Sequence, residues 1–217
     1  MRRLLTVRAA TCAVPGLLLV GAGAVALRTP PALSASVSRT TANHYPSDPR
    51  QAMVAALGAE NPHPSIASVA RPFDRLVGSW DCDFTFYVGD GRVLRKKGEL
   101  RFGWILDGRA LQDIWVTYPA DSSKERSIGT SIRFFDTDRK LWRVVFVGPE
   151  HNYLVNVEGG LEGERIVLRG IDTDGARIRW TFMDITDESF TWHGEKSRDG
   201  GKTWKLEEEH HMRRRSS

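Results

Sequence analysis

Leu76-Val77-Gly78-Ser79-Trp80-Asp81-Cys82-Asp83-Phe84-Thr85-Phe86 is the stretch that decides the fold. From Trp80 onward it alternates without a break. Trp80, Cys82, Phe84 and Phe86 point one way; Asp81, Asp83, Thr85 and Tyr87 point the other. A period of two over this length specifies a strand with one dry face and one wet face.

Working outward toward the C-terminus, the same theme repeats between turn signals. These fall at Gly89-Asp90-Gly91, Asp107-Gly108, Asp136–Lys140, Gly148-Pro149-Glu150, Gly159–Gly163, Thr173-Asp174-Gly175, Thr186-Asp187 and Asp199-Gly200-Gly201. They leave about ten segments of strand length, joined by connections short enough for an antiparallel meander. A two-residue turn at Asp107-Gly108 places Leu106 opposite Arg109, so Leu94, Leu100, Phe102 and Trp104 share a face with Leu111, Asp113, Trp115 and Thr117. On later strands the dry face takes Ile128, Ile132 and Phe134; Trp142, Val144 and Phe146; Tyr153, Val155 and Val157; Ile166 and Leu168. It then takes Ile178, Trp180 and Phe182; Phe190 and Trp192; Trp204 and Leu206. The wet face takes Arg133, Arg143, Arg169, Arg179, His193, Glu207 and Glu209. All 7 Trp thus fall on one dry face. Such a meander must curl to hide that face, and the fold expected is all-β: an up-and-down antiparallel barrel of about ten strands over residues 72–215.

Working back toward the N-terminus, residues 28–71 are rich in Pro, Ser, Thr and Ala and read as a linker. Ser47-Asp48-Pro49 starts one short helix there, which stops at Gly58. Residues 1–27 have a basic start, an uncharged run from Ala9 to Leu27, and small residues at Ala24-Val25-Ala26. That is the plan of a secretory signal peptide or an uncleaved anchor. The chain is therefore expected to be secreted or in the cell envelope, or cytoplasmic if the start codon is misassigned.

The totals exclude several classes. Of 217 residues, 41% are hydrophobic and 27% charged, an ordinary globular balance. The net charge of +4 drops to +1 without residues 1–26, because Arg2, Arg3 and Arg8 leave with no acid. No nucleic-acid partner is expected on that charge. Cys12 lies in the N-terminal run, so Cys82 has no partner within the barrel and reads as a small buried apolar residue. Glu207–His211 offers no metal site, since adjacent residues of a strand point to opposite sides. No Ser-His-Asp order, phosphate loop or dinucleotide fingerprint is present. Ser197-Arg198-Asp199-Gly200-Gly201-Lys202-Thr203-Trp204 resembles the Asp-box of sialidases, and occurring once it reads as a structural hairpin turn.

Gly78-Ser79-Trp80 resembles the Gly-x-Trp opening of lipocalins and their calycin relatives, and the run Phe102–Trp115 resembles bacterial lipocalin-like proteins of unknown function. The resemblance implies a barrel with a cavity and no fixed ligand. It also implies that the Trp closes one barrel end under an Arg from near the last strand, with Arg213, Arg214 and Arg215 all candidates. Nitrobindin-type haem barrels are a neighbouring likeness; they follow the first Trp with repeated glycines, where this chain has Asp81-Cys82-Asp83. No cofactor is expected. His210 has the parity of a haem ligand but reads as a rim or terminal histidine.

Three functions stay open. The first is a binding barrel for a small apolar or aromatic molecule, lined by Trp80, Phe84, Phe102, Trp104, Asp113, Trp115, Phe134, Trp142, Tyr153, Trp180 and Trp192. The second is a small isomerase- or cyclase-type enzyme using Asp113 as general acid or base; no catalytic residue is assigned beyond that alternative. The third is an interaction module with a filled core.

Overall fold

The computed structural model describes residues 48–119 and 125–216. The expected signal or anchor segment, and the first part of the expected linker, lie outside the described residues. The order of elements is α1 (Pro49–Leu57), β1 (Gly58–Ala59), α2 (Ala67–Asp74), β2 (Gly78–Tyr87), β3 (Val93–Ile105), β4 (Ala110–Tyr118), β5 (Ser127–Asp136) and β6 (Leu141–Gly148). Then come β7 (Tyr153–Glu162), β8 (Arg165–Ile171), β9 (Arg177–Met183), β10 (Ser189–Ser197) and β11 (Lys205–Arg214). Strands β2 to β11 pair antiparallel in sequence order, and β11 returns to β2, so ten strands close into a barrel. Strand β1 adds two residues beside β3.

The short helix α1 starts as its residues dictate. The Asp48 side chain accepts from Arg50 N at 2.8 Å, Pro49 fills the first turn, and Gly58 ends it. The rest of the expected linker differs from its reading. Its later part carries β1 and α2, and α2 plugs one end of the barrel with Ala70 and Phe73 buried. Phe73 stands edge-on to Trp142 at 4.7 Å and to Phe182 at 6.3 Å. Trp104 reaches out to the plug, its Nε1 donating to Asp74 Oδ1 at 2.9 Å.

The plug is latched by the signature tryptophan. Trp80 Nε1 donates to Leu76 O at 2.8 Å, and its ring meets Phe190 edge-on at 4.7 Å. The Arg214 guanidinium lies 4.1 Å from the Trp80 ring centroid. It donates to Val77 O and Arg75 O, both at 2.8 Å, and to Asp187 O. Of the three C-terminal arginines, Arg214 is therefore the one over the indole. Gly78 makes room for it: at φ 129° a Cβ there would stand 2.5 Å from Arg214 Nη1.

The turn after β3 is wider than a two-residue loop, yet the register is the expected one. Ile105 pairs with Ala110 and Trp104 with Leu111. Leu106, Asp107 and Gly108 all have positive φ. Segment 61–63 packs onto the turn; a Cβ on Gly108 would meet Asn61 O at 2.2 Å.

Two strand readings are corrected. On β5 the faces are reversed: Gly129, Ser131 and Arg133 are buried, while Phe134 is 44% exposed. Directly opposed residues share a face. Leu111, Asp113 and Trp115 pair with Arg133, Ser131 and Gly129, so from Gly129 to Arg133 the inward face of β5 is polar or small. Gly129 must be small because a Cβ would stand 2.7 Å from the Phe146 ring. The second correction is Trp204. A bulge opposite Gly194 and Glu195 makes Glu207 an extra residue in β11 and flips what precedes it. Trp204 consequently stacks on Arg179 at 4.3 Å, on the side of β9 opposite Trp180.

Two outcomes are expected. Arg214→Met keeps the aliphatic cover of Trp80 but removes three bonds to carbonyls, and should cost about 2–3 kcal/mol in a denaturant titration with unchanged m. Cys82 is buried, and burial together with Asp81 and Asp83 pushes its thiol well above the usual range. It should resist an aromatic disulfide reagent at pH 8 until the protein is unfolded.

Candidate functional site: the barrel interior

Among the described residues the end opposite α2 is open and leads to an interior cavity of about 580 Å³. Strands run their even or odd residues inward, so each contributes one side chain per two residues to the wall. The wall has three levels.

The floor is charged. Asp113 (β4) and Arg133 (β5) are each 1% exposed and form an ion pair between Arg133 Nη2 and Asp113 Oδ2. Asp113 Oδ1 accepts from Ser131 N at 2.9 Å. Burial pushes the Asp113 carboxyl above its ordinary value, against the pull of Arg133 and Ser131 N–H. The guanidinium lies 5.2 Å from the Phe73 ring, 5.1 Å from Phe102 and 6.0 Å from Phe182. Its Nε and Nη1 are buried without a hydrogen-bond partner.

The middle is aromatic. Trp115, Phe146, Trp180 and Trp192 line the cavity and meet one another at tilted or edge-on angles, with Trp115–Trp192 centroids 5.5 Å apart and Trp180–Trp192 5.8 Å. Among them lies His210, 0% exposed. This corrects its reading as a rim residue: parity placed it inward, and β11 continues far enough past it to bury it. Its ring stacks flat on Trp192 at 4.9 Å and is flanked by Phe84 and Trp115. Nε2 pairs with Glu208 Oε2 at 3.0 Å, while Nδ1 is buried without a partner, as is Trp115 Nε1.

The mouth is polar. Lys196 bridges Asp172 at 2.5 Å and reaches Asp174 at 3.4 Å and Glu207 at 3.7 Å. Burial works to raise the Asp172 carboxyl, but Lys196, Thr173 N–H and the Tyr153 hydroxyl outweigh it and hold it below its ordinary value. Burial, with Asp172 beside it, pushes the Tyr153 phenol up.

Of the residues expected to line a cavity, the structure brings Asp113, Trp115, Tyr153, Trp180 and Trp192 together around one. Trp80, Phe102, Trp104 and Trp142 are buried in the packing at the closed end, and Phe84 lies behind His210 and Trp115. Phe134 is on the outer surface for the reason given above. The reading from sequence missed Arg133, Phe146, Lys196 and Glu208 as wall residues. Phe146 had the right parity; Arg133 was hidden by the reversed face of β5.

Neither a family model nor a curated protein sequence matches the chain. Among solved structures it is similar to the S-type phycobiliprotein lyase CpeS from Guillardia theta, with TM-score 0.50 and 12% identity over 69% of this chain and 93% of that one. It is also similar to Rv2717c from M. tuberculosis, with TM-score 0.51 and 14% identity over 72% of this chain and 100% of that one. Both are calycin-like ten-stranded barrels, and the likeness is one of fold.

The buried pair makes a clear contrast between variants. Asp113→Ala strands the guanidinium and should cost about 3–5 kcal/mol, whereas Asp113→Leu with Arg133→Met should recover most of that loss. Denaturant midpoints of the two proteins check it.

Proposed function

We propose that this barrel binds a small apolar or aromatic molecule. The observation that carries the reading is the 580 Å³ cavity, shut by α2, open at the other end, and walled by Trp115, Trp180 and Trp192. Its size is that of a small-molecule site, and flat indole faces with a few buried polar groups suit a flat or apolar occupant. The calycin-like neighbours support a binding role at the level of fold; one of them is by name a phycobiliprotein lyase. The reading needs no cofactor. Asp113 has both oxygens engaged, so it serves as the partner of Arg133 rather than as a free base. The basic start and the uncharged run Ala9–Leu27 support an exported or anchored setting for the barrel.

The test uses N-phenyl-1-naphthylamine, a neutral dye that fluoresces in apolar sites. It should bind saturably and quench the tryptophan emission of the wild-type protein. Thr117 lines the open half of the cavity, and Thr117→Trp should abolish dye binding while leaving the circular dichroism spectrum and melting temperature near wild type. Dye binding that survives this substitution, or none in the wild type, would rule out the interior as the site. Native mass spectrometry of protein from its own host would then identify the class of any retained molecule.

A further inference from the structure

We propose that the cavity floor is an acid subsite: the occupant carries a carboxylate, received by Arg133, on an apolar or aromatic body. The proposal rests on the binding reading above and adds the chemical class of the ligand. A guanidinium has five N–H donors and cannot shed its charge inside a protein. Here it is 1% exposed, Asp113 takes a bond from Nη2, and Nε and Nη1 have no acceptor. Phe73, Phe102 and Phe182 offer ring faces to the charge but no oxygen. Buried donors without partners are costly, and this one stands in the wall of a cavity whose other walls are mainly apolar. Trp115 Nε1 is a further buried donor in the same wall without an acceptor. An oxygen acid supplies what these groups lack, and charge-assisted pairing with Arg is the strong form of that bond.

The experiment displaces bound N-phenyl-1-naphthylamine with decanoic acid and with 1-decanol, two probes of one length that differ at the head. On the wild type the acid should act at a roughly tenfold lower concentration. That preference should vanish in the Arg133→Met/Asp113→Leu protein, where acid and alcohol should displace the dye at the same concentration as each other. A structural role for Arg133 alone would move the melting temperature and leave the acid-to-alcohol ratio where it was. A second readout needs no variant. Decanoic acid labelled with ¹³C at the carboxyl should keep the shift of an ionised carboxylate when bound, down to a pH at which the free acid is protonated. An alcohol that matches the acid on the wild type, a ratio unchanged in the double variant, or a bound carboxyl that titrates like the free one would each overturn the inference and leave water as the floor's occupant. Failure of the dye itself to bind would instead overturn the binding reading.

Discussion

One guanidinium holds the closed end together. Arg214 belongs to the last strand, lies over the indole of the first, and donates to carbonyls from the chain that links the plug to the barrel. A barrel removes its sheet edges by pairing its first and last strands, but pairing does not stop its ends. Here the seam and the stopper share a single side chain. The absence of a side chain at Gly78 is part of the same device, because the guanidinium occupies the place a Cβ would take.

With that end stopped, the interior follows as a gradient. Aromatic packing from Trp80, Trp104, Trp142 and Phe73 buries the closed end. The next layer is a charge pair under the cavity, then a band of indoles, then a polar mouth. An ion pair in such a place contributes little net stability compared with a well-packed apolar pair of the same volume. Its presence is easier to understand as recognition than as support.

Much of this was legible in the sequence. Alternation in β2 and β9, and the parity of the aromatic and valine residues in β6 and β7, put the right residues inside, and the Asp107-Gly108 signal gave the right register even though its loop is wider. The failures share a cause: each involves a position where hydrophobicity and direction are decoupled. On β5, Ile132 and Phe134 face outward because the inward positions are taken by Ser131, directly across from Asp113 and Phe146, and by its neighbours Arg133, which pairs with Asp113, and Gly129, which makes room for the Phe146 ring. On β11, one extra residue turned Trp204 outward. Neither an ion pair between neighbouring strands nor a bulge leaves a mark in the periodicity of its own strand. Helix α2 was hidden because it is short and contains Pro72, and because its packing partners lie far away in sequence.

The stopper has a kinetic meaning as well. A passage open at both ends lets an incoming molecule push the resident out ahead of it. Among the described residues the chamber has one opening, so a molecule bound as proposed would arrive and leave by one route, and a newcomer would wait for it to go. Exchange is then set by the resident's own escape rate, whatever the concentration outside. Such a vessel suits retention and handing over at the rim more than rapid flow.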